Sequence, residues 1–252
     1  MKQEKLREVN KEKSYQDYLK KMAFGTQGSI KRWAYEAAKK NPFLYKKYLK
    51  LTNWQVNKLS MIPGIANAER ILDIGVGAGL TLSYINQFIN PSAELFGIDL
   101  KKNEILSGRI KFAECNIESE DMPFDKNSMD LVITTCVLEH LREPYRLFEE
   151  AHRVLKKDGY LYVVTEGYIT TFLPDYWNFW ADPTHIRPYT KRALKRLGEG
   201  TGFEICKTGV IRTMEFVILS PFFPILNLLS ESNFSFMPFE IFGKNVYLIA
   251  KK

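Results

Sequence analysis

Arg70-Ile71-Leu72-Asp73-Ile74-Gly75-Val76-Gly77-Ala78-Gly79-Leu80 decides the fold. Ile71, Leu72 and Ile74 form the short apolar run of a strand buried on both faces. Glycines at 75, 77 and 79 follow, where the absence of a Cβ lets the chain turn tightly and lets a ligand approach the backbone. The helix expected from Leu80 points its free N–H groups and positive dipole end at whatever rests on that turn. Spacing separates this turn from the dinucleotide fingerprint, which places a third glycine three residues after the second. Leu80 stands there, and an acidic residue, Asp73, precedes the first glycine by two.

The next strand, Glu94 to Ile98, runs into Asp99, at the distance where nucleotide-binding α/β folds place a carboxylate for the ribose hydroxyls. Asp73-x-Gly75-x-Gly77-x-Gly79 together with Asp99 resembles the opening motifs of the class I S-adenosylmethionine-dependent methyltransferases. A second stretch, Asn127 to Cys136 followed by Val137-Leu138-Glu139-His140-Leu141, is similar to the small-molecule, methyltransferase-11-like branch, with Met129 in place of the usual aromatic. The resemblance is good over about residues 66–210.

It implies an α/β, Rossmann-like fold. Seven mostly parallel strands carry helices on both faces, the terminal strand 245–250 being inserted antiparallel. It also implies S-adenosyl-L-methionine as cofactor and S-adenosyl-L-homocysteine as product. Asp73, Gly75, Gly77, Gly79 and Asp99 are the implied cofactor residues. Asn116 would meet the adenine amino group, Ile117 the ring, and Thr135 and Cys136 the methionine part.

Periodicity orders the rest. The βα alternation from Arg70 argues for a parallel sheet covered by helices. Its strands are expected at 70–74, 94–98, 110–114, 127–136, 160–165, 203–210 and 245–250, and helices at 80–88, at 144–157 and from about Thr190. Asp158-Gly159 is expected to end the second helix with a left-handed residue. Residues 1–62 read as helical, with Pro42 as a break and Pro63-Gly64 as the stop. They form an expected N-terminal helical cap, domain 1–65, before a catalytic domain at 66–252. Tyr18, Arg32 and Trp33 either line the site as part of a closing arm or pack the cap.

The acceptor pocket is expected in the long aromatic segment after the fifth strand. There Tyr168, Tyr176, Trp177, Trp180, Arg187 and Tyr189 are the candidate contacts. Its Asp182-Pro183-Thr184-His185-Ile186-Arg187-Pro188-Tyr189 run resembles a segment of bacterial and archaeal methyltransferases near glycan and lipid pathways. Methyl transfer is an in-line displacement that needs a base only if the acceptor must lose a proton. His185 is the first candidate base and His140 the second, each with a structural role as its alternative.

Residues 214–242 form an apolar insertion, too short and proline-interrupted for a membrane span. It serves as a pocket wall, a homodimer contact or, less favoured, a peripheral membrane patch. Three scattered cysteines, Cys115, Cys136 and Cys206, point to no disulfide framework and no metal site. With a charged N-terminus lacking the apolar centre of a signal peptide, they place the chain in the cytoplasm. The net charge of +7 is spread over the chain, and no RNA-recognition fingerprint accompanies it. Nucleic acid is therefore not the expected partner. A methyltransferase for a small-molecule, glycan or lipid-linked acceptor, acting on oxygen, is the leading expectation. An RNA or protein methyltransferase and a non-catalytic cofactor-binding scaffold stand behind it. The amino-directed DNA enzymes are disfavoured, since Thr135-Cys136-Val137-Leu138 replaces their Pro-Pro motif.

Overall fold

The computed structural model describes residues 37–38, 40–52, 54–56, 58–104, 106–173, 178–212, 218, 220–222, 224–225 and 242–252. The chain divides into two compact units, Met1–Tyr48 with Phe222–Phe234, and Leu49–Pro221 with Ser235–Lys252. Tyr18, Arg32 and Trp33, most of the expected cap, and nearly all of 214–242 lie outside the described residues, as do Tyr176 and Trp177.

Helix α1, Pro42–Thr52, starts where a break is expected. The Asn41 side chain accepts from Phe43 N at 2.9 Å and Leu44 N at 3.3 Å, and Pro42 lacks the N–H that the first turn would leave unpaired. The helix expected up to residue 62 does not continue past Thr52: the described residues there make the short 3-10 turns Trp54–Val56 and Leu59–Met61, and a third, Ile65–Asn67, follows Pro63-Gly64. Pro63 and Gly64, the latter at φ +71°, interrupt any longer helix, and Leu59, Ile62 and Ile65 are buried against Ile71, Leu82 and Ile85.

The larger unit carries a seven-stranded sheet. Its strands are β1 Arg70–Ile74, β2 Glu94–Asp99, β3 Ile110–Glu114, β4 Met129–Thr135, β5 Leu155–Glu166, β6 Glu204–Ile211 and β7 Asn245–Lys251, in the order β3-β2-β1-β4-β5-β7-β6. β1 to β5 pair in parallel, and β7 lies antiparallel between β5 and β6. The implied topology is therefore the observed one.

Alternate residues of each strand serve opposite faces. Leu72, Ile74, Phe96, Ile98 and Val132 pack with Leu147, Phe148 and Ala151, whereas Ile71, Leu95, Leu131, Ile133 and Tyr162 pack with Leu82 and Ile85. Helix α2, Leu80–Phe88, supplies the second group, and α3, Pro144–Val154, the first. Helix α4, Lys191–Gly200, joins α3's face through Leu194 and Leu197, its N-terminus capped by the Thr190 hydroxyl accepting from Ala193 N at 3.2 Å. Apolar runs without polar alternation follow directly from this double cover. Among the described residues no helix is long and apolar enough to cross a membrane.

Most strand ends fall within two residues of expectation, and the largest difference lies where α3 meets β5. Helix α3 stops at Val154, three residues before the expected end, and Leu155 opens β5 by pairing with Met129. The pairing then slips, so that Leu131 faces Tyr160, and the extra residues bulge outward. Asp158, not Gly159, takes the left-handed conformation at φ +66°. Gly159 is needed for closeness, because a Cβ there would sit 2.9 Å from the Lys156 carbonyl oxygen and 3.1 Å from that of Asp130.

Candidate active site

The glycine turn joins β1 to α2 at the carboxyl edge of the sheet. Gly75 N and Val76 N both donate to the Ile98 carbonyl, at 2.8 and 3.0 Å, which ties the turn to β2. All three glycines have positive φ: +73° at Gly75, +49° at Gly77 and +75° at Gly79. Their tasks differ. A Cβ on Gly75 would stand 2.2 Å from Val137 Cγ2, and one on Gly79 2.7 Å from Ile110 Cδ1 and Leu106 Cδ1, so these two exist for packing. A Cβ on Gly77 would meet nothing within 4 Å, which leaves that backbone open to a ligand.

Two carboxylates flank the turn. Asp99 accepts from Gly77 N at 2.9 Å and from Leu100 N at 2.8 Å, and burial raises its pKa against these stabilising donors. Asp73 is 2% exposed, and its Oδ1 is buried with no hydrogen-bond partner. Burial first, and the Asp99 charge second, push its carboxyl well above the usual range.

Past β4 the chain makes a second turn. Cys136 holds φ +54°, and its N donates to Val164 O at 2.9 Å. The 3-10 turn Leu138–His140 follows, with Glu139 completely buried. Its Oε2 accepts from the Thr165 hydroxyl at 2.7 Å, and its main-chain carbonyl accepts from Ile186 N at 2.8 Å and Arg187 N at 3.4 Å. These bonds bring the segment carrying His185 onto the segment carrying His140, and the two imidazole rings stand 4.7 Å apart between centroids.

Residues 72–163 match the family model described as a methyltransferase domain. The chain carries a class I S-adenosylmethionine-dependent methyltransferase domain. Among curated relatives, it is 28% identical over 109 residues to the malonyl-[acyl-carrier protein] O-methyltransferase of Marinomonas sp., covering 41% of this chain and 40% of that one. It is 29% identical over 108 residues to the arsenite methyltransferase of Halobacterium salinarum, covering 40% and 27%. The chain thus spans less than half the length of these relatives. Of the solved structures, a SAM-dependent methyltransferase from Archaeoglobus fulgidus superposes with a TM-score of 0.55 at 21% identity, over 86% of this chain and 97% of that one.

The methyltransferase domain's residues suit its cofactor. An unpaired buried oxygen on Asp73, a second carboxylate on Asp99 and the open backbone at Gly77 fit a ligand with an ammonium and a ribose diol. Asp73 would hold the amino-acid end, Asp99 the ribose, and the Gly75–Gly79 turn would lie beneath the cofactor. The adenine side is less open than expected. Asn116 is exposed, its Oδ1 accepting from Glu118 N at 3.1 Å, but Ile117 is 7% exposed and packed in the core, its carbonyl taken by Arg146 Nε at 3.0 Å. Thr135 is buried beside Cys136.

The aromatic segment after β5 is built from short 3-10 turns, Tyr168–Phe172 and Phe179–Ala181. Tyr168, Phe172 and Trp180 present exposed faces. Tyr189 does not. It is 3% exposed, its hydroxyl donates to Leu138 O at 3.4 Å, and burial pushes its pKa up to about 12. Tyr189 therefore fastens the segment to the β4 turn, and Arg187 assists by donating to Arg142 O at 2.8 Å. Sequence reasoning gave Glu139 no role. The Leu-Glu-His order was its signal, but the meaning of that order depends on Thr165 and Ile186, far along the chain.

The Asp73 environment predicts a pH effect. The folded state holds a proton that the unfolded state releases near the ordinary value of 3.8. This contribution to stability is full below that value and is lost as pH climbs toward the folded pKa. Asp73→Asn keeps the shape without the charge. The cofactor-free variant should therefore melt higher than wild type at about pH 8, with the gap closing near pH 4. Its cofactor affinity should fall at least tenfold, about 1.4 kcal/mol. Calorimetric melts across pH, with and without cofactor, check both signs.

Proposed function

We propose that this chain transfers the methyl group of S-adenosylmethionine to an oxygen of a small, glycan or lipid-linked acceptor. The observation that carries this reading is the row of exposed aromatic faces, Tyr168, Phe172 and Trp180, on a segment tied to the carboxyl ends of β4 and β5. Flat apolar surfaces bind rings, chains and sugar faces without needing an anionic backbone. The two relatives, a malonyl-[acyl-carrier protein] O-methyltransferase and an arsenite methyltransferase, support an acceptor that is not a nucleic acid.

When bound, the cofactor supplies an electrophilic methyl carbon. The chain's own residues align the partners. Asp73 and Asp99 hold the two ends of the cofactor, while the aromatic segment orients the acceptor and excludes water. The Cys136 thiol, pushed well up by burial and then by the Glu139 charge, stays protonated and does not compete for the methyl group.

The test is label transfer from methyl-labelled cofactor to phenolic, glycan and lipid extracts, with bulk RNA and protein offered in parallel. Label in an extractable small or lipid-linked product is the expected result. Label in RNA or protein alone overturns the acceptor class, and tight cofactor binding with no transfer to any extract overturns the catalytic reading.

A further inference from the structure

We propose that Glu139, His140 and His185 form a binding site for one divalent transition-metal cation of the zinc type. One ring nitrogen of each histidine and a carboxylate oxygen of Glu139 lie within 4.8 Å of one another, a spacing that a small side-chain shift closes around a single ion.

The hydrogen bonds around the rings fix which nitrogen is free. The Thr184 hydroxyl has one proton, and the Asp182 carboxylate takes it at 2.6 Å. Toward His140 Nδ1, 2.9 Å away, the same oxygen can therefore only accept, so Nδ1 carries the hydrogen. His185 Nδ1 lies 2.7 Å from the Phe179 carbonyl, which also only accepts. Both imidazoles are thereby held as Nδ1–H tautomers with bare Nε2 lone pairs, and neither Nε2 has a hydrogen-bond partner among the described residues. A ring N–H donated to a carbonyl or a carboxylate-linked oxygen, with the other nitrogen left open, is how metal-binding histidines are oriented.

Charge points the same way. Glu139 is fully buried, its carboxylate accepting from the Thr165 hydroxyl at 2.7 Å and from Glu166 N at 3.4 Å. Glu166 Oε2 and Asp182 Oδ2 add two further carboxylates, 3.7 and 4.0 Å from the His185 ring nitrogens. A buried anion without a cation is costly, and a bound dication removes that cost.

The ligand set names the ion. Two imidazoles with one carboxylate suit zinc, iron(II) or cobalt(II) rather than magnesium or calcium, which prefer all-oxygen shells. Three protein ligands leave a coordination position open, as in catalytic rather than structural zinc sites. On the methyl-transfer reading, that position would take the acceptor oxygen and lower its pKa so that its proton passes to solvent before transfer, the histidines serving as ligands rather than as a base.

The experiment uses the full chain, stripped with chelator and titrated with cobalt(II) chloride by visible absorption, then with zinc chloride against a chromophoric chelator. One equivalent should bind, and a ligand-field band should develop. His140→Ala and His185→Ala should each weaken binding at least 100-fold. Thr184→Val, which removes only the orienting oxygen, should weaken it about 10- to 100-fold. Replacing buried Glu139 risks unfolding the turn, so these three variants carry the test, with melting curves confirming that each is folded. Zinc should raise the wild-type melting temperature and leave that of His185→Ala unchanged. Absence of saturable binding by folded wild type, or a cobalt band indifferent to His185→Ala, overturns the site. Cofactor calorimetry on the same samples separates the two proposals: cofactor binding without metal binding defeats the metal site alone, and metal binding without cofactor binding defeats the methyl-transfer reading alone.

Discussion

Asp99→Ala should abolish measurable binding of S-adenosylmethionine and S-adenosylhomocysteine while leaving a folded protein. A carboxylate that accepts both hydroxyls of a ribose makes two charge-assisted hydrogen bonds, each worth about 1.5–3 kcal/mol, so the affinity should drop about 100-fold or more. The fold should tolerate the change because two effects offset. The substitution frees Gly77 N and Leu100 N of their acceptor, but it also removes a carboxylate whose pKa is raised chiefly by burial. Calorimetric titration measures the loss directly. Melting curves supply a second reading, since cofactor at 100 times the wild-type Kd should raise wild-type stability by about 2.7 kcal/mol and that of the variant by about 0.4 kcal/mol or less. Equal affinity in both proteins would remove Asp99 from the cofactor site.

The glycines of the turn should separate into two behaviours. Gly75→Ala should be the more damaging to the fold. A Cβ there meets Val137 Cγ2 at 2.2 Å and must adopt a φ of +73°, costs that together amount to about 2–5 kcal/mol. Adding Val137→Ala should restore the packing share of that loss and leave the backbone share. Gly77→Ala meets no neighbour and should fold with a smaller penalty, yet its methyl group stands where the cofactor is expected, so affinity should fall well over tenfold. Urea melts and titrations of the three variants test the division. A Gly77→Ala protein that binds cofactor like wild type would show that the ligand does not lie on this face of the turn.

Features governed by nearby residues were legible in the sequence. The strand, the glycine turn and the following helix follow from runs of about ten residues, and β1, α2 and β3 occupy the expected spans. The antiparallel placement of β7 came only through family resemblance, because apolar periodicity carries no strand direction. Long-range contacts account for the remaining differences. Helix α3 ends early because Leu155 finds Met129, a pairing across 26 positions that no local pattern announces. Tyr189 looks like a pocket aromatic in sequence but is spent on fastening the segment, and Ile117 is spent on the core. The same holds for the proposed cation site. Cysteine spacing, the usual one-dimensional sign of zinc, pointed away from it, since its donors are a Glu-His pair and a histidine 45 positions later, brought together by long-range bonds to the Glu139 carbonyl and the His140 ring.

The insertion of β7 between β5 and β6 also matters for how the protein is made. During synthesis β6 leaves the ribosome before β7, the strand it pairs with among the described residues, has been translated. Until residues 245–251 emerge, β5 keeps an open edge and β6 has no ladder at all, the kind of exposed template on which nascent chains associate with one another. Completion of this sheet therefore waits for β7. A ribosome stalled before Asn245 should hold a chain that chaperones retain and proteases cut between β5 and β6, and release of the last strand should end both susceptibilities at once.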